Sequence, residues 1–110
     1  MDERGHRIGL NEALFREVNE RVKGINENFK TPLADAEFVC ECGDASCTQR
    51  IRLTMVEYEA LRSEPTHFAI VPGHEIQGIE RLVKHEAGYD IVAKRPGEPA
   101  RVAEETDPRN

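Results

Sequence analysis

Three cysteines fall within eight positions of this chain, as Cys40-Glu41-Cys42-Gly43-Asp44-Ala45-Ser46-Cys47. No other feature limits the fold as much. A C-x-C-x4-C run places three sulfurs on one tight turn, where they can share a zinc ion through Zn–S bonds of about 2.3 Å. Gly43 is expected to let the turn tighten after the second cysteine, and free amides in the turn can donate hydrogen bonds to the sulfurs. An odd cysteine count suits a disulfide framework poorly. An iron–sulfur cluster ordinarily takes four cysteines, so zinc is the expected ion. The bland alternative is three reduced cysteines with no joint role.

A structural zinc site is closed by a fourth donor. His74 is the expected one, because it follows Pro72-Gly73, a turn that can swing the imidazole back over a sheet. His67, at the start of an expected strand, ranks next. His85, Asp44 or a water molecule follow, and His6 is the weakest candidate because it sits in an N-terminal arm.

The knuckle resembles the zinc-binding post-SET motif of lysine methyltransferases, down to the glycine after the second cysteine. That resemblance spans little more than the knuckle. It implies the coordination mode for Cys40, Cys42 and Cys47, and it implies no methyltransferase activity, since the chain has neither room for a SET domain nor a fourth cysteine. The whole chain also looks like a family of small bacterial proteins in which this knuckle precedes Pro-Gly-His-Glu, here Pro72-Gly73-His74-Glu75. This second resemblance implies no activity.

At 110 residues, 38% hydrophobic and without tryptophan, the chain has room for one domain with a lean core that a metal would help to staple. The formal net charge is -6, moving to about -7 with three zinc-bound thiolates. Nucleic acid is gripped through Lys and Arg, so a protein partner is easier to defend electrostatically. Nothing resembles a signal peptide or the roughly 20 apolar residues that span a bilayer, and a cytoplasmic setting is expected.

Asn11 is expected to cap a helix whose apolar stripe runs through Leu14, Val18, Val22, Ile25 and Phe29, before Thr31-Pro32 stops it. The stripe is expected to pack on the domain's own sheet. The sharper alternative is a partner face or a homodimer through this helix. Phe38-Val39-Cys40 and Arg50-Ile51-Arg52-Leu53 read as a hairpin carrying the knuckle. Thr54-Met55-Val56-Glu57 is a capping box for a short helix ending near Ser63. Phe68 to Val71 reads as a strand, and 79–85 with 89–94 as a hairpin, although Ile76, Ile79 and Val83 would also fit one helical face.

No H-E-x-x-H, glycine-rich phosphate loop or G-x-S-x-G is present. His74-Glu75 could serve acid–base chemistry, but a metal ligand beside a solvated carboxylate is the plainer reading. Tyr58, Phe68 and Tyr89 are expected in the core. Arg50, Arg52, Arg62 and Arg81 are expected to pair in solvent with Glu57, Glu59 and Glu80.

The expectation is therefore an α+β domain: an N-terminal amphipathic helix on a small antiparallel sheet, with a zinc knuckle hairpin and a short second helix. Residues 1–10 form a flexible arm, 11–95 the zinc-stabilised domain and 96–110 an acidic flexible tail. The expected metal ligands are Cys40, Cys42, Cys47 and His74. The expected function is a non-catalytic adaptor or regulatory module that binds another protein. A thiolate-based redox or metal sensor and a small zinc enzyme are the alternatives.

Overall fold

A computed structural model describes residues 3–26 and 35–109. The elements run α1 (Glu3–Asn26), β1 (Asp35–Val39), β2 (Arg50–Thr54), α2 (Met55–Arg62), β3 (His67–Ile70), β4 (Glu80–Glu86), β5 (Tyr89–Lys94) and α3 (Glu98–Glu105). This is an α+β fold with two small antiparallel sheets: β1 with β2, and β3-β5-β4.

Period-two patterning sets the first sheet. Phe38 lies opposite Ile51 and Ala36 opposite Leu53, all four buried. Alternation turns Arg50 and Arg52 outward, where they bracket Glu37 at 3.9 and 3.7 Å. The capping box forms as the sequence implies. The Glu57 amide donates to Thr54 Oγ1 at 3.1 Å, and the Thr54 amide donates to Glu57 Oε1 at 2.7 Å. The stretch from Ile79 onward resolves as a hairpin, with a bulge between Leu82 and Lys84. Tyr58, Phe68 and Tyr89 are core residues, and Tyr58 stacks on Phe38 with ring centroids 4.6 Å apart.

Helix α1 departs furthest from expectation. It begins at Glu3, so most of the expected arm is helical, and Asn11 lies inside the helix instead of capping it. Its apolar stripe faces outward: Leu14, Val18 and Ile25 are 61%, 36% and 62% exposed, as is Leu10 ahead of it at 48%, while Glu12, Arg16 and Asn19 are each 1% exposed. Only Val22 of the stripe packs on the core, and Phe29 lies outside the described residues. The physical reason is that each buried polar side chain has a dedicated partner. Arg16 donates to the carbonyls of Pro65 (2.7 Å) and Ala103 (2.8 Å) and to Thr106 Oγ1 (3.0 Å). Asn19 donates to the Val39 carbonyl at 2.9 Å and accepts from the Val39 amide at 2.8 Å, closing off an edge of β1. Glu12 meets Lys94, which also meets Glu80, all three buried.

The acidic stretch expected as a tail carries α3, which buries Pro99, Ala100, Val102 and Ala103 and turns its charges to solvent. It packs closely against α1 because Gly9 has no side chain: a Cβ there would lie 3.0 Å from Val102 Cβ and 3.4 Å from the Pro99 Cα. Arg62 and Glu80, expected in solvent-exposed pairs, are both buried in ion pairs.

Candidate metal centre

The chain leaves β1 at Val39 and crosses from one sheet to the other. The Cys40 amide donates to the Gln49 carbonyl of the first hairpin at 3.0 Å, and the Glu41 amide donates to Ala69 of β3 at 2.9 Å. Extended backbone alternates its side chains. Cys40 and Cys42 therefore share one side while Glu41 points the other way, into the core. There Glu41 takes two hydrogen bonds of 2.8 Å from Arg62, one of 2.7 Å from Asn19 and one of 3.0 Å from the Ala69 amide.

A second turn brings the third sulfur round. The Cys47 amide donates to the Asp44 carbonyl at 3.0 Å. Asp44 Oδ1 accepts from the Ser46 amide at 2.9 Å and from its hydroxyl at 2.6 Å, which also lowers the Asp44 carboxyl pKa. Gly43 is needed for space and not for backbone conformation. Its φ is not positive, but a Cβ would lie 2.5 Å from Ile8 Cγ2 and 3.0 Å from Ile76 Cδ1. Asn11 of α1 fixes the same residue by donating to the Gly43 carbonyl at 3.0 Å.

His74 arrives as the sequence implies. Val71-Pro72-Gly73-His74 closes with the His74 amide donating to the Val71 carbonyl at 3.0 Å. Gly73 has φ +93°, so proline and a positive-φ glycine occupy the central positions of a type II turn.

The donor atoms of Cys40, Cys42, Cys47 and His74 all lie within 4.8 Å of one another. His74 Nδ1 stands 3.6 Å from Cys40 Sγ and 3.8 Å from Cys47 Sγ. A tetrahedral zinc with bonds of about 2.3 Å to sulfur and about 2.0 Å to nitrogen has S–N edges of about 3.5 Å. The observed separations are close to such edges, and the four residues could hold a metal ion.

The electrostatics suit a cation. The Val71 amide donates to Cys40 Sγ at 3.2 Å. A hydrogen bond from the Cys42 thiol is the main cause holding the Cys40 pKa below the ordinary thiol value. The same bond, with burial, pushes Cys42 up. Metal binding at these sulfurs would require thiol protons to leave. The Gln49 side-chain nitrogen lies 3.5 Å from His74 Nε2, and a cavity of about 230 Å³ opens beside Cys42, Asp44 and His74.

The other candidate ligands are placed elsewhere. His6 pairs with Glu98 at 2.7 Å, and His85 pairs with Asp90. His67 is half-buried on β3, where burial lowers its pKa. The Glu41–Arg62 pair was missed by sequence reasoning. The signal was available: a residue between two inward-facing cysteines must face the opposite side.

No protein-family model, no curated protein and no solved structure matches this chain. Among the described residues, no helix is long and apolar enough to cross a membrane.

Proposed function

We propose that this protein is a zinc-stabilised, non-catalytic module, cytoplasmic in setting, that works by binding another protein. One observation carries the metal reading: three sulfurs and one imidazole converge within 4.8 Å, in a set whose members come from both sheets' connecting turns. Three thiolates and an imidazole fill a tetrahedron and leave no open position for water or substrate, which is the pattern of a structural site. The local likeness to the post-SET knuckle supports the same coordination mode. The binding role is supported by the outward apolar residues of α1 and by the chain's acidic balance.

The test is native mass spectrometry of the reduced protein. We expect one zinc per chain, lost in Cys42→Ser and weakened in His74→Ala. A wild-type chain without metal would overturn the proposal.

The partial exposure of Cys47 and the cavity beside Cys42 favour a second reading, a thiolate redox sensor. Two thiolates would pass two electrons to a peroxide, forming a disulfide and water and releasing zinc. Rapid zinc release by mild peroxide, reversed by thiol, is the expected sign. Zinc retained under those conditions rejects the sensor and leaves the structural site.

A further inference from the structure

The outer face of α1 has a pattern that its inner face does not explain. Glu3, Arg7, Leu10, Leu14, Glu17 and Arg21 follow steps of four, three, four, three and four, and all six are exposed. Steps of this kind give the 3.5-residue repeat of a coiled-coil seam. The fold leaves this seam uncovered, since α1 packs inward through the opposite face, with Ile8, Glu12, Arg16 and Asn19. Glu3, Arg7, Glu17 and Arg21 form no ion pair among the described residues of their own chain.

We infer that α1 pairs with α1 of a second copy, antiparallel, across a two-fold axis. The order Glu-Arg-Leu-Leu-Glu-Arg is self-complementary in that arrangement. With Leu10 opposite Leu14 of the other copy, Arg7 falls opposite Glu17 and Glu3 opposite Arg21, and symmetry repeats each pair. A parallel pairing would set Arg7 against Arg7 and Glu17 against Glu17, so charge selects the antiparallel register. An anionic membrane surface fits poorly, because Glu3 and Glu17 lie on the seam and would be repelled. The overlap from Glu3 to Arg21 is about 28 Å of helix at about 1.5 Å per residue. Leu10 and Leu14 supply the apolar contact at the centre of the seam, Val18 flanks it at 36% exposure, and the ion pairs toward the seam's two ends set register more than affinity. This inference rests on the reading of the outer face of α1 as a binding surface and is independent of the metal.

Sedimentation equilibrium of the zinc-loaded chain, from low micromolar to near-millimolar concentration, tests it. The wild type is expected to show a reversible monomer–dimer equilibrium, and Leu14→Glu to be monomeric throughout. Arg7→Glu alone should weaken the dimer about tenfold or more, and Arg7→Glu combined with Glu17→Arg should restore it. Circular dichroism and zinc content measured on the same samples show whether each variant folds and whether the metal reading holds, so either proposal can fail without the other. A monomeric wild type, a dimer indifferent to Leu14→Glu, or a charge swap that does not restore association each overturns the inference.

Discussion

Glu41 meets Arg62 through two N–O contacts of 2.8 Å, neither side chain reaches water, and Glu41 is the residue between two of the candidate metal donors. The knuckle and the core therefore share one stretch of backbone. Arg62 is further held over the Tyr58 ring at 5.1 Å and the Phe68 ring at 5.8 Å. Burial alone would make its guanidinium easier to neutralise, but the Glu41 carboxylate outweighs that and raises its pKa.

Removing Arg62 leaves Glu41 as an unpaired buried charge. Arg62→Met is expected to cost about 3–5 kcal/mol of stability and to weaken zinc binding by about 10–100-fold through loss of the support behind Cys40 and Cys42. Adding Glu41→Gln should recover part of the loss, because the stranded charge is then gone. Denaturant melts and a competitive zinc titration read both effects. Stability unchanged in Arg62→Met would show that the pair does not hold the knuckle.

The Glu12, Lys94 and Glu80 cluster gives a pH prediction. Burial, followed by a hydrogen bond with Glu80, raises the Glu12 pKa well above the ordinary carboxylate value. Burial would raise Glu80 too, but the Glu12 hydrogen bond and the Lys94 charge hold it down. A carboxyl whose folded pKa is raised binds its proton more tightly when folded. Its contribution to stability therefore falls as pH climbs from about 4.3 toward the folded value, by up to about 1.4 kcal/mol per pH unit. Glu12→Gln keeps a donor toward Glu80 with no proton to lose. The wild type minus variant stability difference should shrink with rising pH across that window. Taking the difference cancels the pH dependence of the thiolates, which both proteins share. A flat difference would place Glu12 as an ordinary carboxylate.

Gly43→Ala forces a methyl group against Ile8 and Ile76 at the root of the knuckle. Overpacking of this kind costs about 1–3 kcal/mol. Shortening Ile8 to alanine makes room, so the double variant should lose less than the two single losses added together. Strict additivity in urea melts would mean that the Ile8 contact is not the source of the strain.

Chelation at neutral pH is expected to lower the melting temperature, because binding energy at a site absent from the unfolded chain is folding energy. His74→Ala should melt between the wild type and the chelated form, since three thiolates still bind. A melt that a strong chelator leaves unchanged contradicts a stabilising metal.

Much of the centre was legible because its determinants are local. Cys40, Cys42 and Cys47 lie on one turn, and Pro72-Gly73 states in two residues how His74 is delivered. The Thr54–Glu57 box and both hairpins were readable for the same reason. The face of α1 was not, because apolar periodicity assumes that greasy residues go inside. Here Arg16 and Asn19 go inside, matched to carbonyls and amides that are distant in the chain, and no local pattern announces such a match. The residues of α3 looked like a tail because Glu98, Arg101, Glu104 and Glu105 dominate the composition, while the short Pro99, Ala100, Val102, Ala103 face carries the packing.

The contacts of Arg16 also set an order of events. Two of its three acceptors are Ala103 and Thr106, 87 and 90 residues further along the chain. Helix α1 precedes α3 in the chain, so Arg16 gains its full set of acceptors only once α3 is in place, a contact of high sequence separation. Docking α3 therefore changes the surroundings of Arg16, which ends 1% exposed, far more than those of Leu10 and Leu14, which the finished fold still leaves 48% and 61% exposed.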